Sequence, residues 1–465
     1  MKIIIFTFDG ISFPLAHKLI EEENDVVVAQ IQNIEDLQCG DKPEDPETKK
    51  ARLENYNGIF PKYDAKDVLR AMKNIKKKDE VFVFFDFNNL WKFADEVQKL
   101  GFTRGFFPSK EDYDLENDRN KAKDLVKKHY PDLEVAEVHE FKAIEEAKDF
   151  LEDQEGIFVL KGNSDLARTF VPSTKIPELA KIQVIEVLEE YSKDYEKDGF
   201  ILEQLIIDPL ELTPESLWWD GELIATSVDI ENKPIGSGNL ADQTGCSSCL
   251  VVETNPEDEI NQIAFPDIVK EMASKHKGLF VWDASLYCKD GKYYFGEFCS
   301  CRFGWDSIFN EVMMAGSTTN FFRKIMEGKN PFKVKYGASV RGFIIPEKGK
   351  GSEYCIPVCS INWMEKTNDS TFLYDMKIDG ERKVNLGLTT DLSIFAGASN
   401  NLYNAIDRAY EAVENFSYED LYYRPKFDFT SLDYPSSILN RLYFGESSLF
   451  TQDLEDEVAE VKEVK

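Results

Sequence analysis

Strand-like and helix-like segments alternate through the first hundred or so residues, and nothing else in the chain constrains its fold as tightly. Lys2–Thr7 (KIIIFT) reads as a buried strand, the Asp9-Gly10 turn follows, and Pro14–Glu22 has the composition of a helix. Asp25–Gln30 is a second strand, Ala65–Lys76 a helix, Val81–Phe85 a strand, LWKFADEVQKLG a helix and Thr103–Phe107 a closing strand. Such alternation with short turns predicts a doubly wound parallel α/β unit. The charged connection between Leu37 and Tyr56 is expected to run over the surface.

Beyond it the pattern changes. NDRNKAKDLVKKH (Asn117–His129) reads as a helix, with its lysines on a solvated face. Between Glu137 and Leu205, two strands (GIFVLKG and FILEQLI) and two helical runs predict a small α+β module. From Glu211 to Ala315 the chain is strand-rich, and Lys289-Asp290-Gly291 between apolar runs signals a hairpin. A last unit has strands near VRGFIIP and CIPVCSI. Its helix NLYNAIDRAYEAVENF places Leu402, Ile406, Ala409, Ala412 and Val413 on one face. The expected division is 1–110, 111–136 together with 206–330, 137–205, 331–449, and a flexible acidic tail at 450–465.

A chain of 465 residues exceeds one ordinary core, so several units are expected. No run approaches the roughly 18 apolar residues of a membrane span, and the start lacks the pattern of a signal peptide. A cytoplasmic protein without a membrane partner is therefore expected. The formal charge of −31 argues against a broad nucleic-acid surface but permits a local site for a magnesium-bound nucleotide. Cys246 and Cys249, with Cys299 and Cys301, offer four thiols; buried thiols are the ordinary reading, a metal–thiolate centre the other.

The sharpest chemical signal is that hairpin. Asp283 on its first strand and Glu297 on its second can lie at the same end of neighbouring strands, where two carboxylates hold Mg²⁺ against a triphosphate. Glu297 sits in the apolar run FGEFCSCRFG, where an unpaired carboxylate would be costly. Lys161 ends the strand GIFVLK beside Gly162-Asn163-Ser164-Asp165 and can reach phosphate oxygens. Arg302 suits bidentate binding of a carboxylate or phosphate. Neither a dinucleotide-binding glycine fingerprint nor a Walker-type loop occurs.

Taken in order, these pieces resemble the ATP-grasp superfamily, and within it the phosphoribosylamine–glycine ligases, from Met1 to about Lys426. The resemblance implies an ATP-grasp fold, α/β and α+β. Its parts would be an N-terminal doubly wound parallel domain, a central domain, a small lid at 137–205 and a C-terminal small mixed domain. It implies ATP and Mg²⁺, with Mn²⁺ as a substitute. Arg119 falls where the family has its first phosphate lysine, and Lys161 at the second. ILEQLI resembles the adenine-contacting strand, which puts Glu203, Gln204 and Leu205 at the base and Glu211 at the ribose. The opening turn at Asp9 and Gly10, and Thr244 and Gly245 in DQTGCSS, match substrate loops. EFCSCRFG matches the metal-and-substrate motif through Glu297, Arg302, Phe303 and Gly304.

The departures bear on the chemistry. Cys299 stands where the family has a metal-binding asparagine, and a thiol is a poor ligand for Mg²⁺; Asp283 is placed to compensate. The loop after Lys161 lacks most of the usual glycines. Asp9 is a poor neighbour for a sugar phosphate. The resemblance implies ATP-driven joining of a small carboxylate to an amine through an acyl phosphate, with glycine and phosphoribosylamine as the first pair. The rivals are another amine, such as a modified nucleotide or nucleic-acid base, and a silent protein whose pocket Phe298 or Trp305 fills. A monomer or homodimer is expected.

Overall fold

The computed structural model describes residues 1–37, 44–162, 169–207, 209–300, 303, 306–344, 354–355, 368–388, 391–416, 421–434 and 437–444. Five parallel strands open the chain: β1 (Lys2–Thr7), β2 (Asp25–Gln30), β3 (Lys62–Asp64), β4 (Val81–Phe85) and β5 (Gly105–Phe106), in the order β5-β4-β1-β2-β3. Ile3, Ile5, Phe82 and Phe84 enter one apolar cluster, and Ile4, Phe6, Val83 and Phe85 enter another. Both faces of these strands are covered, so their sequences are apolar without alternation.

The sheet does not stop there. β6 (Leu133–Val135) pairs with a later strand, and β7 (Val138–Phe141), β8 (Phe158–Gly162) and β9 (Phe200–Gln204) form a separate antiparallel sheet. That small sheet packs helices Ile144–Asp153 and Pro177–Glu190 into a core of its own around Leu160, Val184, Leu188 and Leu202. The chain then returns as β10 (Leu210–Trp219), β11 (Glu222–Gly236), β12 (Leu240–Thr254), β13 (Leu279–Lys289) and β14 (Lys292–Cys299).

β13 meets β5 in parallel at Leu279 and Phe106, which fuses the opening sheet to the antiparallel one. Glycine makes the seam possible. A Cβ on Gly105, whose φ is +151°, would lie 1.6 Å from the Val83 carbonyl oxygen, and one on Gly278 would lie 2.4 Å from the Gly105 carbonyl oxygen. At the hairpin, Asp290 (φ 51°) and Gly291 (φ 70°) supply the two positive-φ positions of a tight two-residue turn.

β15 (Tyr336–Ile344) pairs with β12. β16 (Tyr354–Cys355), β17 (Thr371–Leu373), β18 (Met376–Asp379), β19 (Arg382–Asn385) and β20 (Asp391–Ser399) follow, with β20 beside β15 and β17 at the edge. Of these C-terminal strands, β15, β17 and β20 extend the same sheet, while β16, β18 and β19 form a separate three-stranded one. Helix Leu402–Phe416 buries Leu402, Ile406, Ala409, Ala412 and Val413, the face its period marks. Among the described residues no helix is long and apolar enough to cross a membrane. The tail at 450–465 and most of CIPVCSI lie outside the described residues.

Candidate active site

The pleat puts a row of polar side chains on one face of the central strands. Glu215 of β10 lies across from Asp283 of β13, which lies across from Cys299 of β14. Thr213 faces Asp229 of β11, and Ser285 faces Glu297. Asp229, Glu231 and Lys233 alternate along β11 and share this face. Together with Glu116, Asn117, Glu211, Thr244 and Gly245 they line a cavity of about 320 Å³. Helix Asp306–Met314 covers the face, and its Glu311 accepts a hydrogen bond from Ser227 (3.1 Å).

Crowded carboxylates out of water resist ionisation. Burial pushes Glu215 and Glu231 up to about 7. Burial, then the neighbouring carboxylates, push Asp229, Asp283 and Glu311 well above the usual range. Asp229 Oδ1, Asp283 Oδ1 and Glu311 Oε2 are buried with no hydrogen-bond partner. The cation in this wall is Lys233. Burial works against its charge, but Glu211, Glu231 and Glu297 outweigh it and raise its pKa. Lys233 Nζ donates to Glu211 at 2.6 Å, and the Ser285 hydroxyl donates to the same oxygen at 2.8 Å.

A second cavity of about 200 Å³ shares Glu116, Asn117, Glu297 and Phe298 with the first. Its far wall is basic, with Arg119, Lys123 and Lys161. Arg119 is the first residue of helix Arg119–His129 and is exposed at the rim. Lys161 donates to Glu203 Oε1 at 2.6 Å, and Lys123 donates to Glu203 Oε2. Glu203 is thus the shared partner of two lysines, and burial notwithstanding, their charges hold its carboxyl below the usual range. The backbone N–H groups of Gln204 and Leu205 bond the carbonyls of Glu137 (2.9 Å) and Ile157 (2.8 Å).

A third cavity, of about 340 Å³, shares the lining residue Gly245 with the first and is lined by Asp9, Gly10, Arg52, Arg341, Tyr374 and Asp391 among others. The fold thus gathers Asp9, Gly10, Arg119, Lys161, Glu203, Glu211, Thr244, Gly245, Asp283, Glu297 and Cys299 along one run of three cavities. Arg302, Gly304, Trp305, Cys301 and the loop 163–165 lie outside the described residues. Two sequence expectations change. Glu297 is exposed to the cleft rather than enclosed by apolar neighbours, because its register position points out of the core. Lys123 is buried rather than solvated, because Glu203 reaches it from the small sheet. Phe298 packs against Tyr130, Trp282 and Phe295 and leaves the cavities open.

The Mg²⁺ implied by the resemblance fits this donor set. Asp283 offers an unpartnered buried oxygen and Glu297 an exposed carboxylate on the same face. Among the described residues no three His, Cys, Asp or Glu form a metal cage. Mg²⁺ does not require one, since phosphate oxygens and water complete its shell. Cys299 faces the same cavity but adds only a soft donor. Cys246 and Cys249 are buried, and burial raises both thiols, so they pack as protonated side chains beside Val251 and Met314.

No protein-family model matches the chain, and no curated protein matches its sequence. Solved structures do match. Phosphoribosylamine–glycine ligase from Thermotoga maritima is 14% identical, with a TM-score of 0.61 over 91% of this chain and 99% of that one. L-amino acid ligase from Bacillus licheniformis is 15% identical, with a TM-score of 0.51 over 90% of this chain and 98% of its own. The biotin carboxylase domain of Hydrogenobacter thermophilus 2-oxoglutarate carboxylase, solved with MgADP and bicarbonate, is 12% identical. Its TM-score is 0.53 over 90% of this chain and 91% of that domain. At such identities the likeness is one of fold, and the chain has the ATP-grasp fold.

Proposed function

We propose that this ATP-grasp chain is an ATP-dependent carboxylate–amine ligase. One observation carries the reading: three cavities that share lining residues succeed one another as a basic wall, a carboxylate pair suited to Mg²⁺, and a further chamber with room for a second molecule. A simple nucleotide-binding protein has no use for the third.

Arg119, Lys123 and Lys161 bind the triphosphate, and Glu203 fixes the two lysines in place. Asp283 and Glu297 would hold Mg²⁺, which would supply neutralisation of the triphosphate's charge. An oxygen of the substrate carboxylate attacks the γ-phosphorus; the bond to the bridging oxygen breaks and ADP leaves with the electron pair. The amine nitrogen, having shed the proton of its ammonium form, then attacks the acyl carbon. The C–N bond forms, the C–O bond to phosphate breaks, and the second amine proton leaves with the phosphate. The protein's contribution is placement and charge neutralisation. The small sheet closes over the nucleotide and keeps water from the acyl phosphate.

Glycine with phosphoribosylamine is the pair that the resemblance puts first, and small molecules suit a chain of −31 charge better than a polymer does. The test is Mg-ATP-dependent phosphate release across the twenty amino acids, each with and without phosphoribosylamine or another amine. The reading requires release that depends on a carboxylate and an amine together. Release indifferent to both would reduce the chain to an ATPase, and silence with ATP bound would remove the enzyme.

A further inference from the structure

The wall of the first cavity bears on how the nucleotide's sugar is held, given the ligase reading above. Glu211 of β10 lines that cavity, and one of its oxygens is doubly engaged. Oε1 accepts from Lys233 Nζ (2.6 Å) and from the Ser285 hydroxyl (2.8 Å), while among the described residues nothing bonds Oε2. A carboxylate oxygen only accepts, so its complement on a ligand is a donor. In ATP the ribose hydroxyls and the adenine amino group donate, and the phosphates do not. Glu211 shares its cavity with Asp283 and Glu297, the pair suited to the metal of the triphosphate, and the ribose is the donor-bearing group next to the phosphates. Lys233 holds Glu211 in place against its neighbours. It lies 4.0 Å from Glu231 and also feels the charge of Glu297, so without it three carboxylates would repel one another.

The sheet is irregular where Lys233 sits. Asn232 of β11 pairs with Ser248 of β12, but Pro234 pairs with Gln243, so β12 passes five residues while β11 passes two. Pro234 has no N–H to give the ladder, and a bulge of this kind re-aims the side chains beside it. The backbone carbonyls around it are taken by side chains instead. The Thr244 hydroxyl donates to the Lys233 carbonyl (2.6 Å). Arg441 Nη2 donates to the Glu231 carbonyl (3.2 Å) and to Asn232 Oδ1 (2.7 Å). Arg424, fully buried and paired with Asp428 at 2.9 Å, donates from Nη1 to the Pro234 carbonyl (3.0 Å). Two arginines of the C-terminal unit thus fasten β11 on either side of Lys233. We infer that Lys233 is a positioning residue of the sugar site: with Ser285 it holds Glu211 so that Oε2 accepts a ribose hydroxyl, and Arg424 and Arg441 set the bulge from which Lys233 projects.

Calorimetric titration of the full chain with ATP, 2′-deoxyATP and 3′-deoxyATP, each with Mg²⁺, tests this. The unaltered chain is expected to bind ATP at least about tenfold more tightly than one of the two analogues, which lacks a hydrogen bond to a charged acceptor. In Lys233→Met that ratio falls below about threefold, through weaker binding of ATP with little change for the analogue, and in Lys233→Arg most of it returns. Arg441→Met lowers the ratio in the unaltered background but not further in Lys233→Met, because both act through one side chain. Ser285→Ala lowers the ratio without removing a charge, and it decides the matter if Lys233→Met does not fold, which circular dichroism checks. A ratio near one in the unaltered chain, or a ratio that survives Lys233→Met or Ser285→Ala, would overturn the assignment while ATP binding still stood for the ligase reading. Failure of the unaltered chain to bind ATP would overturn both.

Discussion

Glu203 shows how a site residue acquires a job that its sequence does not announce. ILEQLI identifies a strand, but nothing local says that its carboxylate will clamp Lys161 from one side and Lys123 from the other. Lys123 is still harder to see, since it is one of several cations in NDRNKAKDLVKKH and its partner lies eighty positions away in sequence. Lys161→Ala and Lys123→Ala are each expected to weaken ATP binding by roughly tenfold to a hundredfold, the loss of a charge-assisted contact of about 1.5–3 kcal/mol. Lys121→Ala, which removes surface pairs with Asp114 and Asp118, should leave it unchanged. Calorimetric titration with ATP separates the two classes. Cys299→Asn exchanges a soft donor for a hard one opposite Asp283, and is expected to lower the Mg²⁺ concentration needed for half-maximal phosphate release; no change would place Cys299 outside the metal's reach.

At the scale of the element, the hairpin was legible because Asp290-Gly291 has only one common use between apolar strands. Asp229, Glu231 and Lys233 carried an equally plain period of two, charged residues alternating with Ile230 and its neighbours, and this signal could have flagged them. Glu311 gave none, being one acid in a helix. Their burial has a pH signature. Glu215 and Glu231 titrate near 7 when folded and near the ordinary carboxylate value when unfolded. The folded state therefore holds more protons between those values. Stability from these groups is greatest below about pH 4.5, declines as pH rises toward 7, and is flat above it. Each shift corresponds to roughly 3 kcal/mol at most. Glu215→Gln is accordingly expected to raise the melting temperature at pH 8 and to change it little at pH 5, in the absence of nucleotide and metal. A variant equally affected at both values would show that Glu215 is not strained by its charge.

For the whole molecule, the alternating N-terminal strands and the run of motifs made the ATP-grasp fold readable, whereas the continuity of the sheet was not. Joining the parallel and antiparallel halves rests on Gly105 and Gly278 approaching other backbone atoms closer than any side chain permits. Glycines in GFTRGFF and HKGLF look like ordinary turn residues in isolation. Gly105→Ala is expected to cost several kcal/mol, of order 3 or more, in urea unfolding, because its Cβ has no space to occupy. A loss under about 1 kcal/mol would mean that the seam relaxes freely. The same continuity brings Asp9 from the first turn and Arg341 from β15 to one chamber, and so lets a site be assembled from both ends of the chain. The central claim is that ATP activates a carboxylate for attack by an amine, and oxygen transfer tests it most directly. With both carboxylate oxygens of the acid substrate labelled with ¹⁸O, and the amine and Mg-ATP supplied, each phosphate released should carry one ¹⁸O atom. Unlabelled phosphate would mean that water, not the carboxylate, attacks the nucleotide.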